Sequence, residues 1–313
     1  MLASHGCRVR RTLLALSVAC AVFGQSRSAD AFCRSRSCDD DWTVSDATYF
    51  KIPCVKDDQD CQAFGPPLHW PTNCLSFSVQ SDGSTNSAID LELAEAVIEA
   101  AFETWALADC GGETPSLSVQ NRGNVECRRV EYNQDEGNAN IFLFRDDAWP
   151  HKSNIGHQLA LTTTTYNVET GEILDSDVEF NTHGATFTTT DDEDFVQVDF
   201  ASVATHEIGH FLGLSHTNQY MATMTAYMHG TTWMRTLEPD DVAGVCAIYP
   251  PGEPLSSSCP VRHGFSEKCG RPAEDEGCAI GTGRGRSATG AAPGLVLFAL
   301  SLVLRRVRRA RRR

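Results

Sequence analysis

Leu75, Phe77 and Val79 alternate with serines over a short run. A period of two with the apolar side chains on one side predicts a strand with one buried face. Over residues 90–108 the period lengthens: Leu93, Val97, Ala101 and Trp105 fall on one face of a segment rich in Ala, Leu and Glu, with Ser87 placed to cap it. That spacing predicts a helix. Three further strands are predicted over residues 140–144, 158–166 and 173–180, where β-branched and aromatic residues dominate, and Thr170-Gly171 supplies the turn between the last two. An acidic loop (Asp191, Asp192, Glu193, Asp194) then leads into a helix predicted over residues 200–212, capped by Asp199 and ended by Gly213. A last helix starts at Pro239, with Asp240 and Asp241 at the positive end of its dipole. Strand, helix, strands, helix, helix is an α/β arrangement, and no repeat at a period of 20 to 50 residues interrupts it.

The periodic pattern occupies residues 71–252, and the flanks differ in kind. Residues 1–31 run from Arg8, Arg10 and Arg11 through an apolar stretch, Leu13 to Phe23, to a small-residue site at Ala29-Asp30-Ala31. That order is the pattern of a secretory signal peptide and predicts export. Residues 32–70 are a Cys-rich N-terminal segment, residues 253–287 a Gly/Pro/Ser-rich linker containing Cys278, and residues 288–313 an apolar run followed by an arginine cluster. The run is short for a membrane span, for which roughly 20 residues are usual, yet positive charges directly after it fit an end held on the cytoplasmic side. Anchoring to a membrane or cell surface through this segment is therefore expected.

Charge and cysteines sharpen the picture. The chain carries 26 Lys and Arg against 41 Asp and Glu. Setting aside the three N-terminal arginines and the seven of the tail leaves 16 basic residues, so the exported body repels nucleic acid and anionic membrane surfaces, and no nucleic-acid partner is expected. Of the 13 cysteines, Cys7, Cys20 and Cys278 lie in the flanks, leaving an even set of ten. An even set in an exported chain points to disulfides, and no paired C-x₂-C spacing offers a cysteine-based zinc site instead. The sequence leaves the pairing and the oligomeric state open.

One stretch carries chemistry. Residues 206–216 read H-E-x-x-H-x-x-G-x-x-H without a gap. Residues four apart share a helical face, so His206 and His210 can turn their imidazoles toward one metal ion, with Glu207 beside them as a base that is not itself a ligand. Gly213 lets the chain leave the helix at positive φ and bring back His216 as a third ligand. Three neutral nitrogens leave the fourth position of a tetrahedral Zn²⁺ open for water. From ordinary residue frequencies, the chance of all five fixed positions in a chain of this length is on the order of 10⁻⁴ or less, which outweighs a coincidental array of histidines.

These residues resemble the metzincin clan of zinc peptidases, and within it the matrixins. Met224, eight residues past His216, stands where the Met-turn of the clan would fall, with Met221 and Met228 as rivals; Thr225-Ala226 replaces the usual Tyr-Pro after it. Asp240, Asp241, Val242 and Gly244 resemble the core of the closing matrixin helix. The Cys-rich N-terminus and the Cys278 segment are similar to those of myxobacterial matrixin-family proteins with a MYXO-CTERM-type sorting segment, which implies a processing or lipid-attachment site at Cys278. The resemblance implies a twisted, mostly parallel sheet of about five strands with an antiparallel edge strand and three helices, and an exported zinc endopeptidase acting on protein or peptide substrates. It implies that residues 158–166 form the sheet edge that pairs with extended substrate. The cysteine-switch propeptide motif does not occur, and the structural-zinc pattern does not map: His151, His157 and His183 read as surface or hydrogen-bonded residues. Calcium at Asp175, Asp177 or the acidic loop competes with a solvated loop. Two other functions compete with peptide hydrolysis: a surface-anchored binding or adhesion protein retaining a zinc site, and a zinc hydrolase acting on a non-peptide amide. The intact Glu207 speaks against the first, because a structural site does not need that carboxylate.

Overall fold

A computed structural model of the chain describes residues 32–38, 54–151, 158–228 and 232–269. The signal-peptide stretch, His157, Cys278, the apolar run and the arginine tail lie outside the described residues. Among the described residues, no helix is long and apolar enough to cross a membrane.

The elements follow in the order β1 (Cys74–Gln80), α1 (Leu91–Ala106), β2 (Ser118–Val125), β3 (Ile141–Phe144), β4 (Ala160–Tyr166), β5 (Ile173–Phe180), β6 (Phe187–Thr188), β7 (Val198–Asp199), α2 (Phe200–Phe211) and α3 (Pro239–Ile248). Five strands form one sheet in the order β2-β1-β3-β5-β4. All neighbours are parallel except β4, which runs antiparallel to β5 and forms an edge. This is the mostly parallel five-stranded α/β sheet with an antiparallel edge strand and three helices that the resemblance implies. Strands β6 and β7 make a separate parallel pair.

Helices α1 and α2 cover one face of the sheet through an aromatic core. Phe77 stacks on Phe102 at 4.8 Å between ring centroids, and Phe180 meets Phe200 edge-on at 5.0 Å. The indole N–H of Trp105 on α1 donates to the carbonyl of Thr205 on α2 at 2.8 Å, so the two helices are tied by a buried polar contact as well as by packing.

Several local expectations need correction. The alternating serines of β1 were expected on an open face, but all seven residues are buried, because a central parallel strand is covered on both sides. The cap of α1 is Asp90, which accepts from the backbone N–H of Leu93, while Ser87 instead accepts from Phe187 N. Strand β2 was not anticipated. Its polar run is a sheet edge with alternating burial, and its pairing with β1 slips by one residue at Gly123, where φ is +91°.

All ten body cysteines are paired: Cys33–Cys61, Cys38–Cys54, Cys74–Cys259, Cys110–Cys246 and Cys127–Cys269. Two of these bonds attach residues 253–269 to the domain, one at β1 through Cys74 and one just past β2 through Cys127, and Asn138 exchanges backbone hydrogen bonds with Gly264 and Ser266. The part of the expected linker that is described is therefore joined to the domain; its Gly/Pro/Ser composition hid this because cross-links, not apolar burial, hold it.

On the face of β5 turned away from the helices, Asp175, Asp177 and Glu179 are each at most 2% exposed. Arg145 and His151 engage Glu179. Asp177 accepts from the backbone N–H groups of Ile141 (2.8 Å) and Glu131 (3.1 Å). Asp175 Oδ1 has no hydrogen-bond partner. Burial pushes Asp177 up to about 8 in spite of those two donors, and burial with the neighbouring Asp177 charge pushes Asp175 well up. A carboxyl whose pKa is raised on folding favours the folded state below the unfolded pKa, near 4, and that contribution is lost as pH rises through the folded value. Stability is therefore expected to decline between about pH 4 and 8, and Asp175→Asn to flatten that decline. Urea midpoints measured across this range check it: an unchanged slope in the variant would contradict the account in which the buried Asp175 carboxyl is raised on folding.

Candidate metal centre

Helix α2 is seated from its first residue. Asp199, fully buried, accepts from Ser202 N at 2.8 Å and holds the guanidinium of Arg235 through both carboxylate oxygens. One turn separates His206 from His210, which is why their rings approach each other at 4.9 Å between centroids.

The helix closes at Gly213, whose φ is +103°, with the N–H groups of Gly213 and Leu214 turned back onto the carbonyls of His210 and Gly209. A Cβ at Gly213 would also stand 2.9 Å from the carbonyl oxygen of Leu68. Conformation and close approach both call for glycine, and the turn returns His216 to the helix. His216 Nε2 lies 3.2 Å from His206 Nε2 and 3.1 Å from His210 Nε2. Among the described residues, these three histidines are the group whose ligand atoms all fall within 4.8 Å of one another.

The donor chemistry fits zinc. Bonds of about 2.0–2.1 Å at a tetrahedral angle separate two nitrogens by about 3.3–3.4 Å, close to the observed spacings. His206 Nδ1 is 2.6 Å from the carbonyl of Thr223, and His210 Nδ1 is 3.0 Å from that of Leu214. A carbonyl only accepts, so both Nδ1 atoms carry the proton and both Nε2 atoms offer lone pairs to the centre. Burial, reinforced by His210 and His216, holds His206 well below the usual imidazole range. His216, exposed as a residue but with Nε2 turned to its partners, is pushed down to about 3, by burial first and then by His210 and Lys56. Neutral imidazoles are the form that binds a metal.

Glu207 is 6% exposed. Thr162, on the edge strand β4, places its hydroxyl 2.5 Å from Glu207 Oε2 and donates to it. Burial raises the carboxyl, while His210 and Thr162 hold the rise back. A buried carboxylate beside a cluster of convergent imidazole nitrogens and a half-buried sheet edge is placed to exchange a proton with a molecule lying along that edge.

Met224 is buried beneath the cluster. A Cβ at Gly209 would meet its Sδ at 2.2 Å and Trp105 at 2.9 Å, so the thioether lies against the helix between His206 and His210. Asp241 fixes this turn by accepting from Thr223 N (2.8 Å) and Met224 N (3.0 Å), and the same Thr223 orients His206 through its carbonyl. Met221 is half exposed and Met228 partly buried. His151 is engaged with Glu179, and exposed His183 sits by the Asp146 carbonyl; neither belongs to the cluster.

Four contributors escaped the sequence reading: Thr162, Asp241 in its role under the turn that carries Met224, and the carbonyls of Thr223 and Leu214. Backbone groups leave no trace in residue identity, and one threonine among four carries no signal of its own. Asp241 stood in the stretch that resembles the closing helix, which was the available hint.

The family model described as Matrixin (Peptidase_M10) matches residues 69–250, more than half of the chain. Metalloendoproteinase 1-MMP of Arabidopsis thaliana is 50% identical over 60 residues, 19% of this chain and 16% of that protein. Karilysin of Tannerella forsythia is 26% identical over 194 residues, 61% of this chain and 35% of that protein. Matrix metalloproteinase-19 of Homo sapiens is 40% identical over 58 residues, 18% of this chain and 11% of that protein. The matches thus cover about a third or less of the length of these relatives.

Proposed function

The chain belongs to the matrixin family, and on that premise we propose that it is an exported zinc-dependent endopeptidase, with His206, His210 and His216 as the ligands and Glu207 as the general base. The observation that carries this reading is the convergence of three imidazole Nε2 atoms beside a buried carboxylate. When bound, zinc supplies Lewis acidity, polarising the peptide carbonyl and lowering the pKa of the attacking water toward ~7.

Glu207 takes the proton of that water and delivers it to the departing amine, so one carboxylate acts as base and then as acid. Thr162 holds the Glu207 side chain in place by its 2.5 Å hydrogen bond. The outer edge of β4, which has no strand neighbour among the described residues, accepts an extended peptide by strand addition, which lays the scissile bond against α2. The carbonyls of Thr223 and Leu214 keep His206 and His210 in the tautomer that presents Nε2.

Five disulfides support export to an oxidising compartment. Zinc is the one ion the mechanism invokes. Of the calcium positions expected from sequence, Asp191 pairs with Arg235 and Glu193 with Thr232.

Digestion of unfolded casein or gelatin by the purified chain tests the reading. Cleavage is expected, lost with a chelator and restored by zinc. A zinc-loaded chain that cleaves neither would favour a binding protein, and cleavage of cell-wall amides alone would favour a non-peptide hydrolase.

A further inference from the structure

The Cys-rich N-terminal segment runs against the turn that carries the third histidine. Ser35 N donates to Gly213 O at 3.0 Å, and Ser215 N donates to Cys33 O at 2.9 Å, an antiparallel exchange centred on Arg34 and Leu214. Between them Ser35 Oγ donates to Leu214 O at 2.8 Å. That carbonyl is the one that accepts from His210 Nδ1. Ser215, held by Cys33 O, immediately precedes His216.

Two of the three histidines thus take their orientation from residues 213–215, and residues 33–35 supply the hydrogen bonds that hold residues 213–215 in place. The segment is itself fixed. Leu68 N donates to Ser35 O at 2.8 Å, Arg34 donates to Leu68 O at 2.5 Å, and Cys33, 1% exposed, is cross-linked to Cys61. Further along, the Tyr166 hydroxyl at the end of β4 donates to Cys38 O at 3.0 Å, so the same segment also braces the edge strand.

We propose that Ser35 and the Cys33 carbonyl are positioning groups of the metal centre, which makes the Cys-rich segment a permanent part of the site. The inference rests on the zinc reading given above. A serine hydroxyl that shares an acceptor with a ligand's Nδ1–H limits the motion of that acceptor, and outer partners of this kind contribute about 10- to 100-fold in metal affinity. Ser35 lies outside the 69–250 match, so the family pattern does not include it.

The experiment uses the full chain and its Ser35→Ala and Ser35→Thr variants. Zinc affinity is measured by competition with a chromophoric chelator, and the visible spectrum of the cobalt-substituted protein reports ligand geometry independently of activity. Ser35→Ala is expected to bind zinc about 10-fold more weakly and to alter the cobalt bands, whereas Ser35→Thr, which keeps the hydroxyl, stays within about 2-fold of wild type. An alanine variant with unchanged affinity and spectrum overturns the inference, and so does a loss that threonine does not recover. Failure of the wild-type chain to bind zinc at all would instead remove the zinc reading.

Discussion

Glu207→Gln is expected to lower kcat on casein-derived peptides by about 10²- to 10⁴-fold while zinc affinity stays within about 2-fold of wild type. The glutamine is isosteric and can still accept from the Thr162 hydroxyl that now lies 2.5 Å from Oε2, so the local packing has no reason to change. It cannot take a proton from water. A loss of that size corresponds to about 3–5 kcal/mol of barrier. The metal should stay, because the three Nε2 atoms and the carbonyls that orient two of them are untouched. His210→Ala supplies the contrast, since it removes a ligand and should lose metal and activity together. KM is expected to change little, because the carboxylate acts on the reacting water and the peptide is held along β4. A glutamine variant that retains most of its kcat with zinc bound would end the general-base assignment.

The sequence made the histidine cluster legible because the chemistry proposed for it forces it into one short stretch. Two ligands must be four apart on a helix, the third must follow a turn, and the turn needs Gly213 at φ +103°. Helix α2, with its Asp199 cap, and helix α3, starting at Pro239, were legible because caps and proline are local signals. What failed was non-local. Ser76 and Ser78 suggested an open face on β1, but whether a serine is covered depends on what packs over the strand, and here both are buried. Ser87 and Asp90 both suit a cap, and only the chain path decided for Asp90. Strand β2 was hidden by its polarity and its Gly123 bulge. The disulfide partners lie 16 to 185 residues apart, so spacing could not name them. Ser35 acts on the centre from about 180 positions upstream, and no periodicity connects the two.

Arg235→Met is expected to destabilise the fold by about 3–5 kcal/mol, because it strands the carboxylate of Asp199 in the interior. Asp199 is fully buried, and Arg235 reaches it through Nε at 2.9 Å and a terminal nitrogen at 2.6 Å. Methionine keeps the apolar stem packed and removes only the charge and its donors. Exposed Asp191, also in contact with Arg235, should add little, since a solvated pair contributes about 0–1 kcal/mol. The cost comes from breaking the pair, so the double variant Asp199→Asn, Arg235→Met should recover much of it: asparagine is neutral and still caps Ser202 N. The outcome also separates stability from chemistry. Arg235 touches neither the imidazole cluster nor Glu207 but fixes the start of the helix that carries them, so kcat per folded molecule should hold while the folded fraction falls. Urea titrations of the wild type and the two variants measure the first quantity and active-site counting with bound zinc the second. A single variant within about 1 kcal/mol of wild type would mean that Asp199 finds a partner other than Arg235, and the anchoring of α2 would then rest on its cap and its aromatic core.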